Sequence, residues 1–562
     1  MQEDLVVHLI LLFNFIKNNR KMKNLIYRFF IIFGLFMVSS CEFDQLENPN
    51  AVTLSSSDIT LILNRVQVNF AGFFNCSAYS GAAVTRIYHQ GGDTYEISYP
   101  ATALNCPWSA YSESLRDIRA IKELGDAGRF RRHVGMAKTM EAYILMTLVD
   151  VYGDVPYFKA FDNSNFNPPR DKGEDVYKAA LDLLVSAQAD YIDGNSVGTP
   201  NDLFFGANFT KWAKLNNAFQ LKYWMNRRLV DKAGATTAIN ALIAKNAFPA
   251  PGDEFVWRYG TSLSDPGTRH PQYQPQGGGD YQSNFFMWHL TEAKGFDDPR
   301  APYYFYRQVI ANPTNASEIR CLGEFLPAHY PQGAVFCLPG KRGYWGRDFM
   351  DPQGIPPDNL KRTLYGLYPV GGLFDNNVGV SITPTNPGST GAGIEAIMLP
   401  AFVDFMLAEA ALQLGTTGDP KALMISGITK HINYVRAFAL STDQAAKVTA
   451  FISNDAQAAN LKKYTDKATA DFDKLATPAD KMRMIAREYW ISLYGNGMEA
   501  YNLYRRTGQP DGMQLGQVAN IGKFPRSFFY PANHVERNNQ APQKASHDVK
   551  VFWDNNPDGF IK

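Results

Sequence analysis

The sequence lacks the short motifs that mark common hydrolytic and nucleotide-binding sites. None of its nine histidines forms a His-Glu-x-x-His pair, and neither a Gly-x-Ser-x-Gly elbow nor a phosphate-binding loop ending in Gly-Lys-Ser or Gly-Lys-Thr occurs. The chain also has no Cys-x-x-Cys pair and no Cys/His spacing suited to zinc. These absences argue against metal-, serine- and nucleotide-dependent catalysis, so neither a metal site nor a cofactor is expected.

A surplus of charge of one sign is missing as well. The 55 basic residues nearly balance the 54 acidic ones, which leaves no global field to attract a phosphate backbone. Nucleic acid is therefore not an expected partner. Aromatic residues, in contrast, make up 13% of the chain, and many lie in segments rich in glycine, asparagine and proline rather than in periodic apolar helices. Some of them are expected at the surface.

The apolar run near the N-terminus is too short for a permanent membrane span. Residues 29–38 supply about half of the ~20 residues that a spanning helix needs. Lys23 and Arg28 precede this run, which is the order of an export signal. Residues 1–40 are therefore predicted to be a signal peptide that is removed, and we interpret Met22 as the true first residue.

A single cysteine follows this signal directly. Ser39 and Ser40 stand before Cys41, and small residues ahead of a cysteine are typical of a lipoprotein box. Two lipid groups on Cys41, a diacylglycerol and an acyl chain, would supply the two anchors that stable membrane attachment requires. Residues 41–57, polar and without periodicity, are predicted to be a flexible stalk. The alternative is an ordinary signal peptide followed by a cysteine by coincidence.

The remaining four cysteines pair in sequence order as Cys76 with Cys106 and Cys321 with Cys337. An exported protein can keep such disulfides. The alternative is that all four are free, buried thiols that act as small apolar residues.

Apolar residues recur every three or four positions in several segments, which predicts amphipathic helices. These segments are 131–151, 174–191, 209–230, 399–414, 422–440 and 478–494. Paired helices of this size favour a mainly α fold of tetratricopeptide-like helical hairpins. We expect an N-terminal helical scaffold over 58–248, with a loop segment around 76–111, and a C-terminal helical scaffold over 399–507.

Two other segments have a different texture. Residues 249–398 are rich in Gly, Pro, Asn and aromatics, so a long insert of irregular loops and short strands is predicted there. Residues 508–562 form a turn-rich tail that we expect to pack back on the scaffold.

Carboxylates offer the main route to an enzymatic interpretation. Asp253 with Glu254 and Asp297 with Asp298 could pair for glycoside hydrolysis, which needs two carboxyl groups at a defined separation. Adjacent acidic residues also arise by chance in a chain with 54 of them. The oxygen-rich turn 351–359 lacks the ligand spacing of a calcium loop. A secreted glycan-degrading hydrolase and a tetratricopeptide-type envelope adaptor remain as alternative functions.

Three stretches taken together resemble one family. They are 148–157 (LVDVYGDVPY), 487–508 with its REYW and LYGNGMEAYNLYRRTG segments, and the C-terminal pair 524–531 (FPRSFFYP) and 551–557 (VFWDNNP). Their order and the lipoprotein box are similar to those of the SusD/RagB family of outer-membrane nutrient-binding lipoproteins. Residues 297–300 (DDPR) and 343–348 (GYWGRD) resemble a branch with a reduced, loop-rich middle.

This resemblance implies a tetratricopeptide-like scaffold that sits as a lid on a SusC-type TonB-dependent β-barrel transporter. The family binds an oligosaccharide or another nutrient and delivers it without breaking a bond, so the chain is not expected to be an enzyme. Acidic residues after the lipidated cysteine accompany export to the outer face, and Glu42, Asp44 and Glu47 fit that expectation. The implied location is the outer membrane, with a lipid anchor and the body facing the cell exterior.

A sugar presents an apolar face and many hydroxyl groups, so its site should combine exposed aromatic rings with amide or charged side chains. Residues 88–111 have this mixture and resemble the region where relatives place ring-stacking aromatics. The predicted ligand-binding residues there are Tyr88, Tyr95, Asn105, Trp108 and Tyr111. Second-rank candidates in the insert are Trp288, Tyr344 and Trp345. The alternative for each is that it fills a gap between loop and scaffold.

Overall fold

A computed structural model describes most of the chain from residue 58 onward. The described residues are 24, 28, 58–125, 129–162, 164–262, 264, 267–271, 281–308, 326–334, 336, 343–351, 362–371, 389–453 and 456–561. The predicted lipidation site Cys41, the stalk 41–57, almost all of the signal peptide 1–40, and both Cys321 and Cys337 lie outside these residues.

Helices dominate the described chain, and the prediction of a mainly α fold is confirmed. In the first half they are α1 (Ile59–Val84), α2 (Tyr95–Ser98), α3 (Asn105–Trp108), a π-helical turn (Tyr111–Leu115), α4 (Arg116–Gly125), α5 (Arg131–Tyr152), α6 (Gly173–Ile192), α7 (Phe209–Arg227) and α8 (Lys232–Ala244). The middle carries α9 (Asn284–Thr291) and α10 (Ala301–Tyr304). The second half has α11 (Pro400–Leu414), α12 (Pro420–Leu440), α13 (Ala445–Ser453), α14 (Ala456–Asp473), α15 (Pro478–Ser492), α16 (Gly497–Thr507) and α17 (Ala532–Arg537).

Consecutive helices pack side by side as hairpin-like pairs, most extensively α5 with α6 and α11 with α12. Local chemistry marks where these helices begin and end. Gly153, with a φ of 80°, stops α5 in a conformation that other residues adopt only with strain. Asp419 caps α12, because its carboxylate accepts a hydrogen bond from the backbone N–H of Ala422 at 2.7 Å. Thr477 caps α15 in the same way.

Short strands frame the loop-rich middle of the chain. Strand β1 (Phe255–Arg258) pairs antiparallel with β4 (Ile394–Met398), and β2 (Phe305–Tyr306) pairs antiparallel with β3 (Leu364–Tyr365). The β1–β4 pair brings the two ends of the middle segment together. The segment therefore leaves the helical scaffold and returns to it at one place.

The predicted loop around 76–111 needs a correction. Helix α1 continues to Val84, so the first part of that range is helical, and the non-helical chain starts at Thr85. Two short helices, α2 and α3, also interrupt it. The residues at 76–84 are held in α1 because one face of the helix is buried, including Ser77, Ala78 and Gly81.

Asp150, near the end of α5, accepts hydrogen bonds from three separate parts of the chain. The donors are the hydroxyl of Tyr177 in α6 at 2.7 Å, the side-chain amide N–H of Asn502 in α16 at 2.7 Å and the indole N–H of Trp553 at 2.9 Å. A buried carboxylate needs such donors, because burying an unpaired charge is costly. Through Trp553 the C-terminal tail packs back on the scaffold.

Glu409 in α11 forms a second buried connection. Arg506 from α16 donates to both of its carboxylate oxygens, at 2.9 and 3.0 Å, and Arg228 donates at 2.7 Å. Burial acts to raise the pKa of Glu409, but the two guanidinium groups outweigh it and hold that pKa below its ordinary value. The carboxylate thus stays charged and joins the two halves of the scaffold.

Helices α1 and α16 approach so closely that glycine is required on both. A methyl group at Gly81 would lie 2.8 Å from the backbone nitrogen of Met498 and closer still to the carbonyl group of Gly497. A methyl group at Gly497 would in turn clash with the backbone of Ala78 and Ala82. The two backbones therefore pack directly against each other.

The substitution Gly81→Ala should destabilise the protein strongly, because backbone atoms cannot move aside as a flexible side chain can. We expect a loss of about 3 kcal/mol or more in the free energy of unfolding. Gly72→Ala is the matched control, since Gly72 lies in the same helix with no neighbour within 4 Å of the added methyl group. That change should stabilise by about 1 kcal/mol through helix propensity. Urea denaturation of both variants measures the difference, and equal effects would contradict the close contact.

The substitution Glu409→Gln should lower the free energy of unfolding by about 3 kcal/mol at pH 7, because it leaves Arg228 without an ion pair among the described residues, while Arg506 keeps its pair with Glu499 at 3.0 Å. The pKa of Glu409 is depressed by folding, so its contribution is present above the unfolded pKa of about 4.3 and is lost as pH falls through the lower folded value. The difference in the free energy of unfolding between wild type and variant should thus be largest near neutral pH and should become smaller below about pH 4. Urea denaturation across pH values where both remain folded tests this, and a constant difference would contradict it.

Candidate ligand-binding groove

The segment that follows α1 is tied back to that helix by a disulfide. The structure joins Cys76 in α1 to Cys106 in α3. Because α3 is one turn long and has no side-chain cap at its N-terminus, it cannot hold its position alone. The disulfide therefore places Trp108, two residues further on, beside the scaffold.

Trp108 is half-buried among aromatic rings from three segments. The ring centroid of Tyr152 in α5 lies 5.2 Å from that of Trp108, with the two ring planes nearly perpendicular. The ring centroids of Tyr111 and of His534 in α17 lie at 4.9 and 4.4 Å from that of Trp108. Tyr152 itself is fixed because its hydroxyl donates to the carbonyl of Leu104. The indole is thus held in place while part of it remains accessible.

Tyr111 is oriented by a hydrogen bond to the loop after α5. Its hydroxyl donates to the carbonyl of Pro156 at 2.7 Å. Burial raises the pKa of Tyr111 well above its ordinary value, and the neighbouring Tyr152 adds to this effect. The phenol therefore stays neutral and keeps its donor.

These two rings line a groove with a volume of about 420 Å³. Its other walls come from the loop after α5 and from α17: Pro156, Ala160, Phe161, Asp162, Asn165, Phe166, Pro168, Asn533, His534, Arg537 and Asn538. Phe166 is 88% exposed, which is unusual for so large an apolar side chain. The groove thus combines accessible aromatic faces with amide, carboxylate and guanidinium groups.

Polar groups at the edge of the groove are available for a ligand. Asn533 and Arg537 are exposed, and neither side chain has a partner among the residues that the structure describes. Burial and the nearby Arg170 lower the pKa of His534 to about 4, so its ring is neutral at pH 7. Its buried Nε2 has no hydrogen-bond partner in the described part of the chain.

A smaller depression of about 290 Å³ adjoins the groove through Phe161, which lines both. Arg119 lies over the Phe161 ring, with 5.2 Å between the guanidinium carbon and the ring centroid. Phe158, which is 56% exposed, also lines this depression. The apolar surface therefore continues beyond the groove.

Several predicted ligand-binding residues are in the wrong place for ring stacking. Tyr88 and Tyr95 are buried in the core, at 4% and 1% exposure, and so are Tyr344 and Trp345. Tyr95 lies in the core, where its hydroxyl accepts a hydrogen bond from the buried Arg86 at 3.0 Å. The expectation that these four rings lie at the surface is wrong.

Two further candidates lie outside the groove walls. Asn105 is exposed, but its amide donates to the carbonyl of Thr102 at 3.1 Å and it does not line the groove. Trp288 is half-buried in α9, where its ring packs against Phe285 and His289. Of the eight predicted residues, the structure brings Trp108 and Tyr111 together in the groove.

Sequence reasoning missed the groove residues of the loop after α5 and of α17. Residues 161–169, FDNSNFNPP, have the same aromatic and asparagine-rich texture that marked the first-rank candidates, so this signal was present in the sequence. Nothing comparable marked His534 or Arg537, because they reach the groove from a segment more than 360 residues away along the chain.

The acidic pairs considered for hydrolysis are engaged in the structure. Arg300 binds both carboxylate oxygens of Asp298, at 2.8 and 2.6 Å, and Lys214 binds Asp253 at 2.8 Å. Burial acts to raise the pKa of Asp298, but Arg300 and Lys294 hold it well below its ordinary value. Glu254 accepts the backbone N–H of Gly252 at 2.9 Å. Within the described ranges, no group of His, Cys, Asp and Glu could hold a metal ion.

Two family models match the chain. Residues 48–327 match a family described as "Starch-binding associating with outer membrane", and residues 386–555 match one described as "Susd and RagB outer membrane lipoprotein". The chain belongs to the SusD/RagB family. These descriptions associate this SusD-like protein with the outer membrane. No match was found among curated proteins.

Solved structures of SusD homologues share the fold. A homologue from Bacteroides fragilis has 17% identity and a TM-score of 0.65, covering 89% of this chain and 100% of its own. A SusD/RagB family protein from Bacteroides thetaiotaomicron has 17% identity and a TM-score of 0.62, covering 89% and 100%. A chitin-binding SusD homologue from Flavobacterium johnsoniae has 16% identity and a TM-score of 0.61, covering 89% and 99%.

None of the described helices of this SusD-like protein combines the length and the apolar character that a membrane span requires.

Proposed function

We propose that this SusD-like protein captures an oligosaccharide in the aromatic groove at the cell surface and delivers it to a SusC-type TonB-dependent transporter without catalysis. The observation that carries this proposal is the exposed ring of Phe166 in the same groove as the fixed, half-buried ring of Trp108. The groove volume of about 420 Å³ falls within the range of roughly 300–1,000 Å³ that small-molecule sites occupy.

The groove chemistry suits a sugar chain. The C–H face of a pyranose ring packs on an aromatic plane, and Trp108, Tyr111 and Phe166 offer such planes. Asn533 and Arg537 offer donors, and Asn533 also an acceptor, for the hydroxyl groups at the ring edge. A ligand longer than one or two sugars would continue over Phe161 into the adjoining depression.

A chitin oligosaccharide is the first ligand to test. The similar protein from Flavobacterium johnsoniae is described as chitin-binding. An N-acetyl group has an amide donor and an amide acceptor, which match the Asn533 side chain. The neutral His534 ring, with a buried nitrogen that lacks a partner in the described residues, supplies a further polar contact in the groove.

The proposed location follows from the N-terminal sequence and the family descriptions. Lipid on Cys41 would anchor the body to the outer membrane, and Glu42, Asp44 and Glu47 support export to the outer face. Delivery to a TonB-dependent barrel then requires direct contact between the two proteins. Asp253 and Asp298 accept hydrogen bonds from Lys214 and Arg300, which supports a role of the protein in binding rather than in bond cleavage.

Replacing groove aromatics should weaken glycan binding without unfolding the protein. For Trp108→Ala and for Phe166→Ala we expect roughly tenfold loss of affinity each for a chitin oligosaccharide, because each change removes a stacking face. Isothermal titration of the full chain in detergent measures this loss. Ile192→Ala is the control, since Ile192 is a similarly exposed apolar residue (81%) that does not line the groove.

The titrations, an assay for reducing ends and a pull-down from the envelope separate the alternatives. Unchanged affinity in both groove variants would refute the groove as the site of the oligosaccharide that binds. Release of new reducing ends during incubation with the wild-type chain would favour the hydrolase. The adaptor would be favoured if the protein bound no member of a glycan panel and captured an envelope protein other than a barrel.

The membrane anchor can be tested through Cys41. Cells grown with a labelled fatty acid should incorporate the label into the wild-type protein, and Cys41→Ser should abolish incorporation and release the protein from the outer-membrane fraction. A TonB-dependent barrel should co-purify with the wild-type protein from that fraction. An unlabelled wild-type protein would contradict the anchor, and the absence of any barrel would contradict the proposed delivery.

A further inference from the structure

A second cavity, of about 500 Å³, lies between β1, the start of α11 and one face of α12. It shares no residue with the aromatic groove, so it is a separate site. Pro251, Leu399, Pro400, Ala437 and Phe438 give it apolar walls. A cavity of this size and character accepts a small apolar group.

Several polar groups of this cavity that lack partners among the described residues are hydrogen-bond donors. The hydroxyl of Tyr434 is buried and has no partner among the described residues. Burial raises the pKa of Tyr434, the charge of Arg258 opposes this and the charge of Glu254 adds to it, so the phenol keeps its proton at neutral pH. An unpaired buried hydroxyl costs free energy, which a ligand acceptor would recover.

The start of α11 adds a second donor. Its N-cap residue, Leu399, has no side chain that could accept a hydrogen bond from the first turn. The backbone N–H of Ala401 has no partner in the described part of the chain, and Ala401 lines the cavity. The positive end of the α11 dipole lies at the same point.

Arg258 brings a charge to the cavity. Its guanidinium carbon lies 5.5 Å from the centroid of the Phe438 ring, and it forms no ion pair with a described carboxylate. The cavity has two other charged groups: Lys430, which pairs with Asp404 at 2.7 Å, and the carboxylate of Glu254, one oxygen of which accepts the N–H of Gly252. Arg258, Tyr434 and Ala401 thus offer three donors that have no hydrogen-bond partner among the described residues.

We propose that this cavity binds a carboxylate carried on an apolar group, either a free small acid or the C-terminal residue of an apolar peptide. The carboxylate would accept from Tyr434, from Arg258 and from the first turn of α11, and the apolar group would pack between Pro400 and Phe438. Carboxylates are among the anions that helix N-termini and arginine side chains bind. The proposal does not depend on glycan binding.

The test uses three probes on the full chain in detergent: 3-phenylpropanoate, the dipeptide Gly-Phe, and Gly-Phe with an amidated C-terminus. Calorimetric titration should detect binding of at least one of the two carboxylates and a tenfold or greater loss with the amide. Binding of the free acid alone identifies a small acid as the source, and binding of the dipeptide alone identifies a peptide end. Binding of the amide as tight as that of the acid, or no binding of any probe, would overturn the proposal.

Variants locate the probe in the cavity. Tyr434→Phe keeps the shape and removes one donor, so affinity should fall about fivefold to tenfold. Arg258→Met should lower it at least as much. Arg116→Met is the matched control, because Arg116 is an exposed arginine outside the cavity. Thermal denaturation verifies that each variant is folded, and unchanged affinity in both folded cavity variants would overturn the assignment.

Discussion

The position of the groove depends on one buried carboxylate, that of Asp150. It gathers donors from α6, α16 and the C-terminal tail at the point where α5 ends, so four distant segments meet there. The loop after α5 leaves from this point and supplies Phe161 and Phe166 to the groove. The tail that Trp553 brings in carries α17, which supplies His534 and Arg537. A binding surface made of loops is thus positioned by an interaction in the core.

Much of the helical scaffold could be predicted from periodicity alone. The segment 131–151 differs by one residue from α5, and 174–191 differs by one residue at each end from α6. The end of helix α1 was predicted too early, and no periodic segment was recognised within it, because apolar residues occur on most of its faces, including the exposed Leu61 and Val68. The pairing of Asp150 with Trp553 could not be predicted, since it joins residues about 400 positions apart.

The site was harder to predict than the fold, and the reason is physical. Composition identifies aromatic rings near glycine and asparagine, but burial depends on partners elsewhere in the chain. Tyr95 lies inside because Arg86 needs its hydroxyl, while Trp108 stays half-exposed because Tyr152, Tyr111 and His534 occupy only some of its faces. Such partners come together only in the folded chain, so two rings of similar sequence context end in opposite environments.

The direct backbone packing at Gly81 and Gly497 limits how such a scaffold can vary. Where peptide planes touch with no side chain between them, neither surface can be enlarged, reshaped or given a new chemical group. Changes that alter what the protein recognises are therefore confined to the loops and turns that stand away from this contact. The rigid junction separates the part of the molecule that must stay constant from the part that can be diversified.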